Sequence, residues 1–177
     1  MALGALAIGL EPGLMDPPLH ADAPELNPLY EALEGAGLPV FLTGGDSGPD
    51  TSYASPLDLE RASARFPRVE FVAVHGGWPY VAEMVAVALR RPNLWVMPDL
   101  YWGGFPGHRD YTEAANGILR ERMLFASSYP AVNLEQYVTR LREDGLEPAA
   151  WRGIAWENPR RLLGDRRTAR LAPAGIA

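Results

Sequence analysis

Five short apolar runs recur along the chain, each followed by a stretch long enough for a helix. They lie at residues 5–10 ("ALAIGL"), 38–45 ("LPVFLTGG"), 69–77 ("VEFVAVHGG"), 93–99 ("NLWVMPD") and 122–128 ("RMLFASS"). Each is nearly continuous in Val, Leu, Ile and Phe rather than alternating, the pattern of strands covered on both faces of a parallel sheet. The spacing predicts helices over residues 25–36, 56–66, 79–90, 111–121 and 134–143, with two short ones after Leu146. Ser55 and Asn133 stand as N-caps, and Pro56 at a first helical position. Strand–helix alternation implies an α/β fold with right-handed crossovers. A repeat of roughly thirty residues suits a doubly wound sheet or part of a (β/α)8 barrel, and the rhythm alone leaves both open.

In either architecture the chemistry gathers where parallel strands end. The run ends carry Glu11; Thr43 with Asp46 in "TGGDSG"; His75; Asp99; and Ser128 followed by Tyr129. His75 ends a buried run and precedes two glycines, so an imidazole sits beside a turn that brings backbone close. A neutral imidazole there moves protons or binds metal, or simply packs the rim with its polar atoms bonded. Asp99 orients it or caps a loop, and Asp46 makes an Asx-turn or activates water. Trp78, Tyr101, Trp102 and Tyr129 stack on a planar compound or pack the core. Arg109 offers a fork for a carboxylate. "TGGDSG" is no phosphate-binding fingerprint, and Ser127 and Ser128 lack the nucleophile elbow. His20 and His108, in Pro/Gly-rich loops, are expected to be solvated.

Composition narrows the classes. The net charge is −6 and the 16 basic residues are all arginine, which speaks against a nucleic-acid surface and removes lysine chemistry. Cysteine is absent, which excludes thiolate metal sites, disulfides and a cysteine nucleophile. The opening "MALGALAIGL" is short and lacks a basic start, so it reads as a strand rather than a leader or membrane span. A cytoplasmic location is the expectation. Residues 1–164 read as one domain and residues 165–177 as a frayed tail.

Together these segments resemble the amidohydrolase-related family, in the branch of the aminocarboxymuconate and resorcylate decarboxylases. "LPVFLTGGDSG" is similar to that family's fifth barrel strand. The segment from "RASARFPRVEFVAVHGGWPY" to "RRPNLWVMPDLYW" is similar to its sixth and seventh strands, "ILRERMLFASSYP" to its eighth, and "WRGIAWENPRRLLG" with Asn158 to its closing helix. The resemblance implies a partial (β/α)8 TIM-type barrel of about five parallel strands, equivalent to strands four to eight, with C-terminal helices. The family's metal site uses H-x-H on the first strand, a histidine ending the fifth and an aspartate ending the eighth. Here those last two positions hold Thr43 and Ser128, and the H-x-H region is absent. His75 is the only candidate ligand, so zinc or manganese is expected only if other groups supply the remaining ligands.

Three functions follow. One is a binding or scaffolding subunit with a degenerate metal site. Another is a metal-independent hydrolase or carboxy-lyase using His75 and Asp99 on a small carboxylated, aromatic compound. The third is one half of a split metalloenzyme. Open sheet edges and an open inner face exposing Val40, Val72 and Val74 predict a homo-oligomer or a chain that completes the barrel.

Overall fold

The computed structural model describes residues 4–44 and 48–164. Four parallel strands form one sheet in chain order: β1 (Ile8–Leu10), β2 (Val40–Thr43), β3 (Phe71–Val74) and β4 (Leu94–Met97). Helices α1 (Asn27–Ala36), α2 (Pro56–Arg65) and α3 (Val81–Arg90) make the crossovers. After β4 come α4 (His108–Asn116), α5 (Leu134–Glu143), α6 (Pro148–Arg152), a π-turn over Gly153–Glu157, and α7 (Asn158–Leu163). The partial-barrel expectation holds in class and order.

Among the described residues the strand count is four rather than five, and the cause is visible in the sequence. The fifth run meets β4 in one parallel bridge, Val96 to Met123. The Val96 N–H donates to the Arg122 carbonyl and the Leu124 N–H to the Val96 carbonyl. The next rung of a parallel ladder needs an N–H from residue 98, which is proline and has none. The Phe125 N–H turns instead to the Ile154 carbonyl, 3.0 Å away.

Helix ends follow local chemistry. Asn133 caps α5, accepting from the Gln136 N–H at 3.0 Å. Ser55 precedes α2 without a side-chain cap bond. The fourth helix starts three residues earlier than expected and stops before Gly117, and Gly37 ends α1 in the left-handed region (φ 61°).

The period of two along each strand divides the side chains between two cores. Val40, Leu42, Phe71, Ala73, Leu94 and Val96 face the helices and join the main core. Val72, Trp95 and Leu124 face the barrel interior, where Leu162 of α7 packs over them, with Phe41 and Met97 at the edge. This corrects the expected exposure of Val40 and Val72. Val40 lies on the helix side and is fully buried, and Val72 is fully buried beneath Leu162. Phe41, Thr43, Val74 and Met97 stay partly exposed on that face, and Gly9 is exposed beside Phe41.

Asn93 ties the layers at the strand beginnings. Its buried amide donates to the carbonyls of Ser63, Phe66 and Val69 at 3.1, 3.2 and 2.9 Å. One side chain thereby ties the end of α2 to the segment that leads into β3. Asn158, the first residue of α7, ties that helix to the fifth run by donating to the carbonyls of Arg120 and Met123 at 2.8 and 2.7 Å.

Candidate functional site

Three of the strand-end residues share an uncommon backbone. His75, Asp99 and Ser128 all have positive φ, at 63°, 44° and 55°. For a non-glycine residue this conformation costs about 1–2 kcal/mol and is rarely adopted. Each stands where a run leaves the sheet, so the chain turns sharply and its side chain is presented at the rim. Glycines flank only the first of them. Gly76 and Gly77 continue the turn at φ 61° and 74°, and the Tyr111 ring and Met84 fill the space a side chain would need there.

The turn brings His75 onto Asp99. Imidazole Nδ1 lies 2.6 Å from Asp99 Oδ2. The Asp99 carboxylate is almost fully buried and His75 about one-fifth exposed. A carboxylate this close requires a proton between the atoms, so Nδ1 carries it and donates, leaving Nε2 as the basic nitrogen. Asp99 Oδ1 is buried and has no hydrogen-bond partner, so His75 Nδ1 is the side-chain donor that offsets its burial.

Aromatic rings line one side. Tyr101 meets the imidazole edge-on at 5.3 Å, and Trp78 stacks on Tyr101 at 4.8 Å with planes 12° apart. Phe105 closes the group, 4.9 Å from Tyr101. The Trp78 Nε1–H is buried without a partner. At the next strand end, Thr43 Oγ1 donates to Glu11 Oε1 at 3.4 Å.

The other candidates are placed elsewhere. Trp102 is 1% exposed and donates through Nε1 to Thr112 Oγ1 at 2.9 Å, which makes it a core residue. Arg109 is exposed on the first turn of α4, and among the described residues no hydrogen bond or ion pair joins it to His75 or Asp99. Ser128 turns the chain, its carbonyl accepting from the Ala131 N–H at 2.8 Å, and Tyr129 is 74% exposed. Asp46 lies outside the described residues, as do residues 165–177.

Neither of the other histidines is simply solvated. His20 Nδ1 is 2.8 Å from Asp58 and its ring stacks on Tyr53 at 4.4 Å. Burial outweighs that contact and raises the Asp58 carboxyl above its ordinary range. His108 opens α4, with Nδ1 2.9 Å from the Phe105 carbonyl and Nε2 3.5 Å from Asp144.

Two residues that the sequence did not single out reach the site from the helices. The Tyr137 hydroxyl of α5 donates to the Asp99 carbonyl. That of Tyr111 on α4 donates to the Gly76 carbonyl at 3.2 Å. Burial, and then the Asp99 charge, push both phenols above their usual range. In the sequence each reads as an ordinary apolar-face residue of its helix, and no local signal marks its hydroxyl.

Among the described residues, His75 is the one nitrogen donor that the strand ends offer to a divalent metal, which the sequence resemblance implies. The Nδ1 bond to Asp99 is compatible with ligation through Nε2, and the neighbouring strand ends supply the hydroxyls of Thr43 and Ser128. Among the described residues no group of three or more His, Cys, Asp or Glu side chains is arranged to hold a metal ion.

An open parallel sheet with helices in strict alternation, and polar groups gathered at the strand ends, defines a barrel-type α/β protein. A family model for amidohydrolases matches residues 2–164, and the chain belongs to that family. Among curated proteins none matches it. An uncharacterized TIM-barrel protein from Bordetella bronchiseptica is 40% identical, with TM-score 0.88 over 96% of this chain and 60% of that one. The 5-carboxyvanillate decarboxylase of Sphingomonas paucimobilis is 17% identical, with TM-score 0.64 over 89% of this chain and 58% of that one. The 4-oxalomesaconate hydratase of Rhodopseudomonas palustris is 18% identical, with TM-score 0.66 over 95% of this chain and 59% of that one. The chain thus spans about 60% of the length of these solved structures. Among the described residues, no helix is long and apolar enough to cross a membrane.

Proposed function

We propose that the chain supplies an acid–base site of the hydrolase or carboxy-lyase kind for a small carboxylated, planar compound. The observation that carries this reading is the 2.6 Å bond from His75 to a buried Asp99. A buried carboxylate fixes the tautomer and plane of an imidazole and stabilises the imidazolium formed when Nε2 takes a proton. Trp78, partly exposed and stacked on the buried Tyr101 beside the imidazole, offers a flat surface for an aromatic or conjugated ring. The decarboxylase among the similar structures is named for a carboxylated aromatic compound, which supports the substrate class. No step is assigned to a metal.

The test is turnover of a panel of benzoates and unsaturated dicarboxylates, followed by loss of ultraviolet absorbance. His75→Gln is expected to lower the rate by about 10²–10⁴-fold, the usual worth of a positioned acid–base group. Unchanged turnover in that variant would remove His75 from the chemistry.

A second reading is a binding or scaffolding subunit with a degenerate metal site. It is favoured by the hydroxyls of Thr43 and Ser128 at two strand ends and by the absence of a three-ligand cluster among the described residues. Calorimetry separates the readings. Micromolar binding of a panel member without turnover supports the second.

In either case the chain is proposed to associate. Phe41, Val74 and Met97 remain partly exposed on the inner face, where Leu162 packs with Val72, Trp95 and Leu124. Among the described residues β1 pairs on one side only, which leaves an edge open to another strand. Light scattering is expected to give a mass above 19.3 kDa, the mass of one chain. A monodisperse 19.3 kDa species across dilution would overturn this.

A further inference from the structure

The geometry points to Tyr137 and Tyr111 as positioning residues, whose buried hydroxyls hold the two left-handed strand ends so that the His75 imidazole keeps its Nδ1 proton on Asp99. The inference deepens the acid–base reading and rests on it for its purpose. The structural part stands on contacts alone.

The two residues of the pair come from different strands, and neither backbone is at rest. His75 and Asp99 both hold positive φ. A left-handed turn at the end of a strand swings the carbonyl out of the ladder, where it needs a new donor once it is buried. Tyr137 supplies that donor to Asp99 itself. Tyr111 supplies it to Gly76, the residue after His75. The donors come from two successive helices, α5 and α4, so each strand end is fixed from outside the sheet.

Both struts are stiff. Tyr111 is fully buried and Tyr137 is 5% exposed. A Cβ on Gly103 would come within 3.0 Å of the Tyr137 ring, and a Cβ on Gly76 within 2.7 Å of the Tyr111 hydroxyl. The chain therefore packs backbone directly against both phenols. Burial and the Asp99 charge keep both hydroxyls protonated, so each remains a donor throughout the range in which an imidazole titrates.

A buried tyrosine hydroxyl bonded to a carbonyl also occurs away from the site. Tyr30 is as deeply buried, and its hydroxyl donates to the Ala21 carbonyl at 2.7 Å, which belongs to a loop without strand-end residues. It serves as the structural control. The chain has three histidines, so their ring nitrogens can be followed individually by 15N-resolved NMR of the full chain, with Asp99→Asn as the reference for a broken pair.

Tyr137→Phe and Tyr111→Phe are each expected to lose the His75 Nδ1–H correlation and gain the Nε2–H tautomer. Tyr30→Phe should keep the wild-type His75 pattern despite a similar loss of stability. A wild-type His75 pattern in Tyr137→Phe overturns the assignment, as does an equal change in Tyr30→Phe. Should Tyr137→Phe not fold, Tyr111→Phe decides by the same criterion. The readout needs no turnover. A moved tautomer in a protein without acid–base activity would retire the proposed function and leave the positioning role standing.

Discussion

Replacing Gly76 by alanine is expected to destabilise the protein by about 2–5 kcal/mol, combining left-handed strain with overpacking. At φ 61° an alanine side chain pays the left-handed penalty. Its Cβ would also stand 2.7 Å from the Tyr111 hydroxyl, 2.9 Å from Tyr111 Cε1 and 2.9 Å from the Pro98 Cα. The last of these is backbone and cannot rotate away. Relief requires the turn after β3 to move from the turn after β4, which are the segments that carry His75 and Asp99. The measurement is the urea midpoint with its slope. Gly35→Ala is the contrasting substitution, since Gly35 lies inside α1 with nothing within 4 Å of its Cβ. It should gain about 0.5–1 kcal/mol. Equal stability of Gly76→Ala and the wild type would show that the two turns do not meet as described.

Trp102→Ala carries an effect of similar size for a different reason. The indole is 1% exposed, lies 6.2 Å from the Tyr111 ring and donates to Thr112. Truncating a buried tryptophan costs about 3–5 kcal/mol through lost contacts and the cavity left behind, and Thr112 loses its donor as well. Trp78→Ala should cost much less, because that ring is only partly buried and its Nε1 has no partner to lose. The two tryptophans thus separate by experiment. One supports the fold, and the other belongs to the aromatic wall beside His75. A Trp102→Ala protein with a wild-type unfolding midpoint would place the indole outside the core.

The pattern of residues along the chain settles more of the fold than of the site. Continuous apolar runs such as "FVAV" and "LWVM" must be covered on both faces, so parallel pairing in chain order follows from burial alone. Leu134–Glu143 forms the helix that its Asn133 cap and apolar period dictate. Pro98 holds the reason the fifth run fails to extend β4, but its force depends on register. A missing N–H matters only where a ladder bond falls, and which residue faces Leu124 is decided when β4 pairs. The same holds for faces. Val40 and Val72 look alike in the sequence, yet the register Val40 to Phe71 and Phe41 to Val72 sends them to opposite sides.

For the site, local sequence determined which side chains stand at strand ends, because each is the polar residue that closes an apolar run. His75, Asp99, Thr43 and Ser128 are legible on that ground. That His75 and Asp99 touch, while Trp102 turns inward and Arg109 outward, is a matter of three dimensions. It depends on backbone dihedrals at single residues and on which way a short turn rotates. The Tyr111 and Tyr137 hydroxyls are the clearest case. A tyrosine on the apolar face of a helix must bury its ring for hydrophobic reasons that the sequence states. Which carbonyl its hydroxyl meets is fixed only when the helix docks on the sheet, because hydrogen bonds act over a few tenths of an ångström and the apolar pattern positions a helix far more coarsely.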